Sequence, residues 1–114
     1  MKIHIRARKN ALLVRAGGHL TETAASELLD QIEQELRPAP RNVILDLTGV
    51  ESMSAGALPY VFRIQRQAGA TANRFILAGR SAAVQRLLEV TKVAGALEHA
   101  RDESEAARTV GAET

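Results

Sequence analysis

"VILDLTGVESMSAGALPYVF", residues 43–62, decides the fold. With Asn42 ahead of it, the run Val43-Ile44-Leu45-Asp46-Leu47 is short and nearly all apolar, the composition of a strand covered on both faces. Beyond a loop, Leu58, Val61, Phe62 and then Ala68 recur at helical spacing, which predicts a helix from about Ser54 to Gln67. A strand feeding straight into a helix is one half of a β–α–β unit. Ser54 stands at the helix entrance, where a serine hydroxyl accepts from a free backbone N–H of the first turn. Pro59 would delete a backbone hydrogen bond if the helix were regular from Ser54 onward. The regular turns therefore begin nearer Ala57, or the first turn is irregular.

Toward the N-terminus, "KIHIRAR" alternates Ile3, Ile5 and Ala7 with Lys2, His4, Arg6 and Arg8, the period of a half-buried strand. "ALLVRA" follows a turn-like Lys9-Asn10, so the two predict an antiparallel hairpin. "GGHL" then breaks the strand and leads into a helix carrying Ala25, Leu28, Leu29, Ile32 and Leu36. Thr21 or Thr23 is its cap, and Pro38 and Pro40 end it. Toward the C-terminus, "RFILAG" is a second buried strand. "SAAVQRLLEVTKVAG" is a helix capped by Ser81, packed through Val84, Leu87 and Leu88, and stopped by Gly95. "ALEHA" is a weak last strand, and Asp102 starts a final helix. The order ββαβαβαβα predicts an α/β fold: a mixed, mostly parallel sheet of about five strands with about four helices. Residues 1–110 are expected to form one domain and residues 111–114 to fray.

Composition narrows the function. The 114 residues contain no cysteine, which excludes a disulfide framework, a thiol nucleophile and a cysteine-based zinc site. The start carries no apolar h-region of a secretory signal, and no apolar run approaches the ~20 residues of a membrane span, so a cytoplasmic protein without direct membrane insertion is expected. Aromatic residues make up only 3% of the chain, so the core is aliphatic. Net charge is +2 but uneven: Glu22, Glu27, Asp30, Glu33 and Glu35 crowd one stretch, and Arg63, Arg66, Arg74, Arg80, Arg86 and Lys92 another. Such polarity suits orientation toward a charged partner. Nucleic acid is not expected, because stacking aromatics and a recognition motif are both missing.

With these elements placed, residues 43–69 resemble the central segment of STAS domains, the family of bacterial anti-sigma factor antagonists. Leu45-Asp46-Leu47-Thr48-Gly49-Val50 fits that segment's strand and Ser/Thr-Gly-Val step without a gap, and Leu58, Arg63 and Arg66 keep the register. "GGHLTETAASELL" and "FILAGRSAAVQRLLEVTKVAGAL" are similar to its Gly-x-Leu entry to the first helix and to its fourth strand and following helix. The resemblance implies a non-catalytic module that binds an anti-sigma factor with a histidine-kinase-like ATPase fold and thereby regulates transcription. In ordinary members a kinase phosphorylates a serine at the helix start and breaks the complex.

Here the motif is degenerate. Ser54 falls on the family's acidic position, Ala55 on its phosphoacceptor, Gly56 on the next Ser/Thr, Ala57 on its glycine and Pro59 on another small position. Without a hydroxyl, Ala55 implies constitutive binding. A one-residue shift would instead make Ser54 the acceptor, at the cost of a deletion before Ser54 and an insertion before Leu58. The expected contact rim is Ser52, Met53, Ser54, Ala55 and Gly56, continued along the helix by Tyr60, Arg63, Gln67 and Ile64 as outward-facing positions. Ser52 is a second hydroxyl within a kinase's reach. The alternative roles are an accessory subunit docked on the ATPase of a lipid-transport ABC system, or a part of a stress-sensing assembly.

A small serine hydrolase using Ser54 is a remote alternative. Ser52-Met53-Ser54-Ala55-Gly56 lacks one glycine of a nucleophile elbow, and His4, His19 and His99 have no spacing that marks a base or a metal ligand. Asp46 reads as a hydrogen-bonded carboxylate at a strand end. No phosphate-binding glycine string is present, although the second helix start offers free N–H groups to an anion and nucleotides are proposed ligands of some STAS domains. No cofactor and no metal are expected.

Overall fold

The hairpin forms as its alternation requires. In the computed structural model, which describes residues 1–111, β1 (Lys2–Ala7) pairs antiparallel with β2 (Ala11–Leu20) in the register His4 opposite Arg15, and the Arg8 N–H closes the turn on the Ala11 carbonyl at 2.8 Å. β2 then pairs parallel with β3 (Asn42–Met53), β3 with β4 (Phe75–Arg80), and β4 with β5 (Glu98–Ala100). The sheet order is therefore the chain order, β1-β2-β3-β4-β5, antiparallel only at its first edge. The helices α1 (Glu22–Leu36), α2 (Leu58–Ala70), α3 (Ala82–Val90) and α4 (Glu103–Val110) complete the ββαβαβαβα order. The expected fraying of 111–114 concerns residues that lie, from 112 on, outside the described ones.

Caps stand where the sequence places them. Thr21, Ser81 and Asp102 accept from the N–H groups of Ala24, Val84 and Glu105 at 3.1, 3.3 and 2.8 Å, each satisfying a donor that a helix start leaves free. Two boundaries differ from expectation. Gly17 and Gly18 do not end β2; the strand continues to Leu20 across two register shifts, and the left-handed φ of Gly18, +97°, suits the bulge. Gly95 does not stop α3, which ends at Val90. The chain turns at Lys92, whose φ is +58°, and Gly95 lies in a separate 3-10 turn, Ala94–Ala96.

The sheet's two faces are covered unequally. Leu12, Val14, Val43, Leu45, Leu47, Phe75 and Leu77 pack under α1, α2 and α3 through Leu28, Ile32, Val61, Ile64, Val84 and Leu88. On the other face, among the described residues, α4 alone lays Ala106, Ala107 and Val110 over Ala11, Leu13, Ile44, Ile76 and Ala78. This explains the apolar run of β3, whose successive side chains enter opposite cores. No helix among the described residues is long and apolar enough to cross a membrane.

Candidate functional site

β3 leaves the sheet at Met53, the partner of Leu20, and the Ser54 N–H donates to the Leu20 carbonyl at 3.1 Å. Ser54 is extended, with φ −89° and ψ 150°, and Ala55–Ala57 make one 3-10 turn before α2 begins at Leu58. Pro59 thus occupies the first turn of α2, where an N–H has no intrahelical acceptor to lose. Ala57 and Leu58 are buried and pin the turn to the core, while Ser52, Ser54, Ala55 and Gly56 are exposed and Met53 is half-buried against the core.

The expected cap at Ser54 does not form. Its hydroxyl makes no capping bond; the Ala57 N–H goes instead to the Ser54 carbonyl at 3.0 Å, the short i→i+3 closure of a 3-10 turn. Gly56 lies against the first turn of α1, where a Cβ would come within 3.0 Å of the Glu22 carboxylate.

Along α2, Arg63 is exposed and its guanidinium lies over the half-buried Tyr60 ring at 6.0 Å from the centroid, within cation–π range. Ile64 does not face outward. It is 1% exposed, because it lies three residues after Val61 and four before Ala68, on the stripe that both bury. Gln67 is half-buried and faces α1, lining a cleft of about 250 Å³ with Glu33, Leu36, Arg37 and Thr71. The structure adds Arg66 to the outer face, exposed one turn from Arg63. Of the basic stretch, Arg74 pairs with Glu98 and Arg80 meets His99. Arg63, Arg66, Arg86 and Lys92 are exposed and make no ion pair among the described residues. The 3.6-residue period of Val61, Ile64 and Ala68 already contained the position of Arg66.

The histidines separate. His99 bridges Arg80 at Nδ1 and the Ala94 carbonyl at Nε2, 2.6 Å away, whereas His4 is exposed on β1. His19 stands opposite Ser52 in the β2–β3 register, with Nδ1 2.7 Å from the Ser52 Oγ and Nε2 3.8 Å from the Glu51 carboxylate. Sequence reasoning did not connect these residues, since only the parallel pairing of two strands separated by a helix brings them together. The group is open to water. A nucleophile would also need a desolvated oxyanion site, and no histidine among the described residues hydrogen-bonds Ser54, the serine expected for a hydrolase. Asp46 lies inside β3 rather than at a strand end, because the strand runs on to Met53, but its Oδ1 does accept a hydrogen bond, from the Thr48 N–H at 2.9 Å.

An open sheet whose third strand delivers an exposed loop into a half-open helix is matched over residues 3–99 by the family model described as "Mlab, STAS domain". The chain belongs to the STAS domain family. The fold is shared with solved anti-sigma factor antagonists. One from Mycobacterium paratuberculosis has 17% identity and a TM-score of 0.82, with 96% of this chain and 93% of that chain covered. An anti-sigma-factor antagonist (STAS) domain protein from Planctomyces limnophilus has 19% identity and a TM-score of 0.81, covering 96% and 97%. SpoIIAA of Bacillus, an anti-sigma factor antagonist solved in its unphosphorylated form, has 17% identity and a TM-score of 0.80, covering 99% and 100%. No curated protein matches the chain.

Proposed function

We propose that this STAS domain, spanning residues 1–110, is a non-catalytic interaction module of the cytoplasm that binds an anti-sigma factor of the histidine-kinase-like ATPase type. The contact surface is the loop Ser52–Gly56 with Tyr60, Arg63, Arg66 and Gln67 of α2. The observation that carries this reading is the combination of an exposed loop, held rigid from beneath by Ala57 and Leu58, with free arginines on the adjoining helix. Tyrosine and arginine are the side chains that most often dominate interface energetics, and here the ring already orients the guanidinium. With Ala55 at the family's acceptor position, binding is constitutive. Incubation with the partner kinase and Mg-ATP should leave residue 55 unmodified, and phosphate on Ser54 would instead establish the shifted register.

A second reading is an accessory subunit docked on the ATPase of a lipid-transport ABC system. It is favoured by the words of the matching family, "Mlab, STAS domain", which do not describe an anti-sigma factor antagonist, and by the missing hydroxyl at residue 55. Capture from native lysate followed by mass spectrometry separates the two. A switch-kinase-like protein supports the first reading, and an ABC ATPase with its permease supports the second. In either case Arg63→Glu should abolish capture while leaving the thermal midpoint unchanged. Capture that survives both Arg63→Glu and Tyr60→Ala would refute this surface.

A further inference from the structure

The face of the sheet opposite α2 carries a feature that partner binding leaves unused. α4 covers only the lower part of that face, and where β2 and β3 emerge beyond it, Arg15, Asp46 and Thr48 stand on open sheet beside Lys2 and His4 of β1. Together they line a cleft of about 330 Å³, the lower end of the range for small-molecule sites. Gly17 and Gly49, neighbours in the β2–β3 register, also line it, and their backbones approach closely: a Cβ on Gly17 would fall 3.3 Å from the Gly49 carbonyl oxygen. The strand register shifts at this level in both the β2–β3 and β3–β4 pairings. Such bulges re-aim side chains and free backbone groups, and they cluster beside binding sites.

Two basic side chains, Lys2 and Arg15, border this mainly apolar cleft on the same face of the sheet. The Arg15 guanidinium is held by Glu103, with Nε at 3.0 Å and Nη2 at 3.3 Å from its carboxylate, which fixes the fork and leaves Nη1 available. The hydrogen bond from Glu103 and its charge raise Arg15 above the ordinary arginine range, so it stays cationic. Lys2 is exposed and takes part in no ion pair among the described residues. With its Nε and Nη2 on Glu103, Arg15 offers Nη1 to a phosphate oxygen, and the ammonium of Lys2 adds a second charge-assisted donor. Asp46 introduces the opposite demand. One of its oxygens holds the Thr48 N–H, so its charge repels a bare anion but welcomes a hydroxyl or amine.

We propose that this cleft binds a small phosphomonoester that also carries a hydroxyl or amino donor, with Lys2 and Arg15 on the phosphate and Asp46 on the donor. The site lies across the sheet from α2 and is independent of the partner surface.

The test is titration of the ¹⁵N-labelled protein with glycerol phosphate, inorganic phosphate and glycerol, read from the amide shifts of Gly17, Thr48 and Gly49. Saturable shifts are expected with glycerol phosphate, weaker ones with inorganic phosphate and none with glycerol. Lys2→Gln, which disturbs no packing, should weaken glycerol phosphate by about tenfold, the scale of one lost charge-assisted contact. Asp46→Asn keeps an acceptor for the Thr48 N–H and should erase the preference for glycerol phosphate over inorganic phosphate. Shifts that rise linearly without saturation, or an affinity untouched by Lys2→Gln, would overturn the proposal.

Discussion

Replacing Gly79 by alanine tests whether the polar cluster on the open face is packed as described. Gly79 has a left-handed φ of +86°, and a Cβ there would fall 2.3 Å from the Thr48 Oγ1 and 2.9 Å from the Asp46 Oδ1. Two separable penalties follow. Holding a non-glycine residue in that backbone region costs about 1–3 kcal/mol, and overpacking costs about as much where the neighbours cannot yield. The Thr48 hydroxyl can rotate and absorb part of the clash, so the expected total is about 2–4 kcal/mol. A domain of this size has roughly 5–15 kcal/mol to lose and should stay folded. Urea denaturation is the assay, with the midpoint falling and the m-value constant. Thr48→Ala deletes the nearest obstructing atom at an exposed site and should itself cost no more than about 0.5 kcal/mol. On that background Gly79→Ala should be cheaper by at least about 1 kcal/mol, the coupling expected of residues in contact. A cost below about 0.5 kcal/mol, or strict additivity in the double variant, would refute the steric account.

Three further outcomes follow from the same geometry. Ile64→Ala should destabilise by about 2–4 kcal/mol in denaturant unfolding, because it empties a site in the α2 core, whereas Arg63→Ala should leave stability within about 0.5 kcal/mol and act on partner capture alone. Ser54→Ala should leave stability within about 0.3 kcal/mol, since its hydroxyl caps nothing, while Thr21→Ala should cost about 1 kcal/mol. Glu103→Gln removes the carboxylate shared by Arg6 and Arg15, at 2.7 and 3.0 Å, and should speed amide exchange across α4 at low salt, by the equivalent of about 0.5–1 kcal/mol. The difference from the parent should shrink as salt rises. Exchange in α4 that is unchanged at every salt concentration would show that the apolar contacts of Ala106 and Val110 alone hold the helix.

Local chemistry was legible in the sequence because it acts over few residues. Thr21, Ser81 and Asp102 each precede an amphipathic run, and each caps it. The alternation of β1 and the nearly all-apolar run at the start of β3 state one covered face and two. Errors arose where two local rules competed. Glycines at 17 and 18 read as breakers, but hydrogen bonding to β3 outweighs the turn preference and turns them into bulges. On α2, placing the stripe around Phe62 pushed Ile64 outward, whereas Val61 and Ala68 fix the stripe's centre with Ile64 in it. The encounter of His19 with Ser52 had no local signal at all, because it depends on register between strands 33 residues apart. Half-coverage of the second sheet face was equally hidden, since it depends on where α4 docks and how short it is.

The loop before α2 shows why a candidate binding residue is hard to recognise from its own type. A serine ahead of a helix suggests a cap, and the helix start does need acceptors. Pro59 relieves one of those needs by contributing no N–H, and the 3-10 turn meets another with the Ser54 carbonyl. What would have occupied the Ser54 hydroxyl is thus supplied by backbone and by a residue five positions on. The hydroxyl is left exposed on a loop whose underside is fixed by Ala57 and Leu58. A polar group on a rigid mount with no internal partner loses little entropy when another molecule hydrogen-bonds to it, which is the condition for efficient recognition. In this chain, then, the Ser54 hydroxyl is left without a capping role by proline and helix geometry rather than by any motif around it.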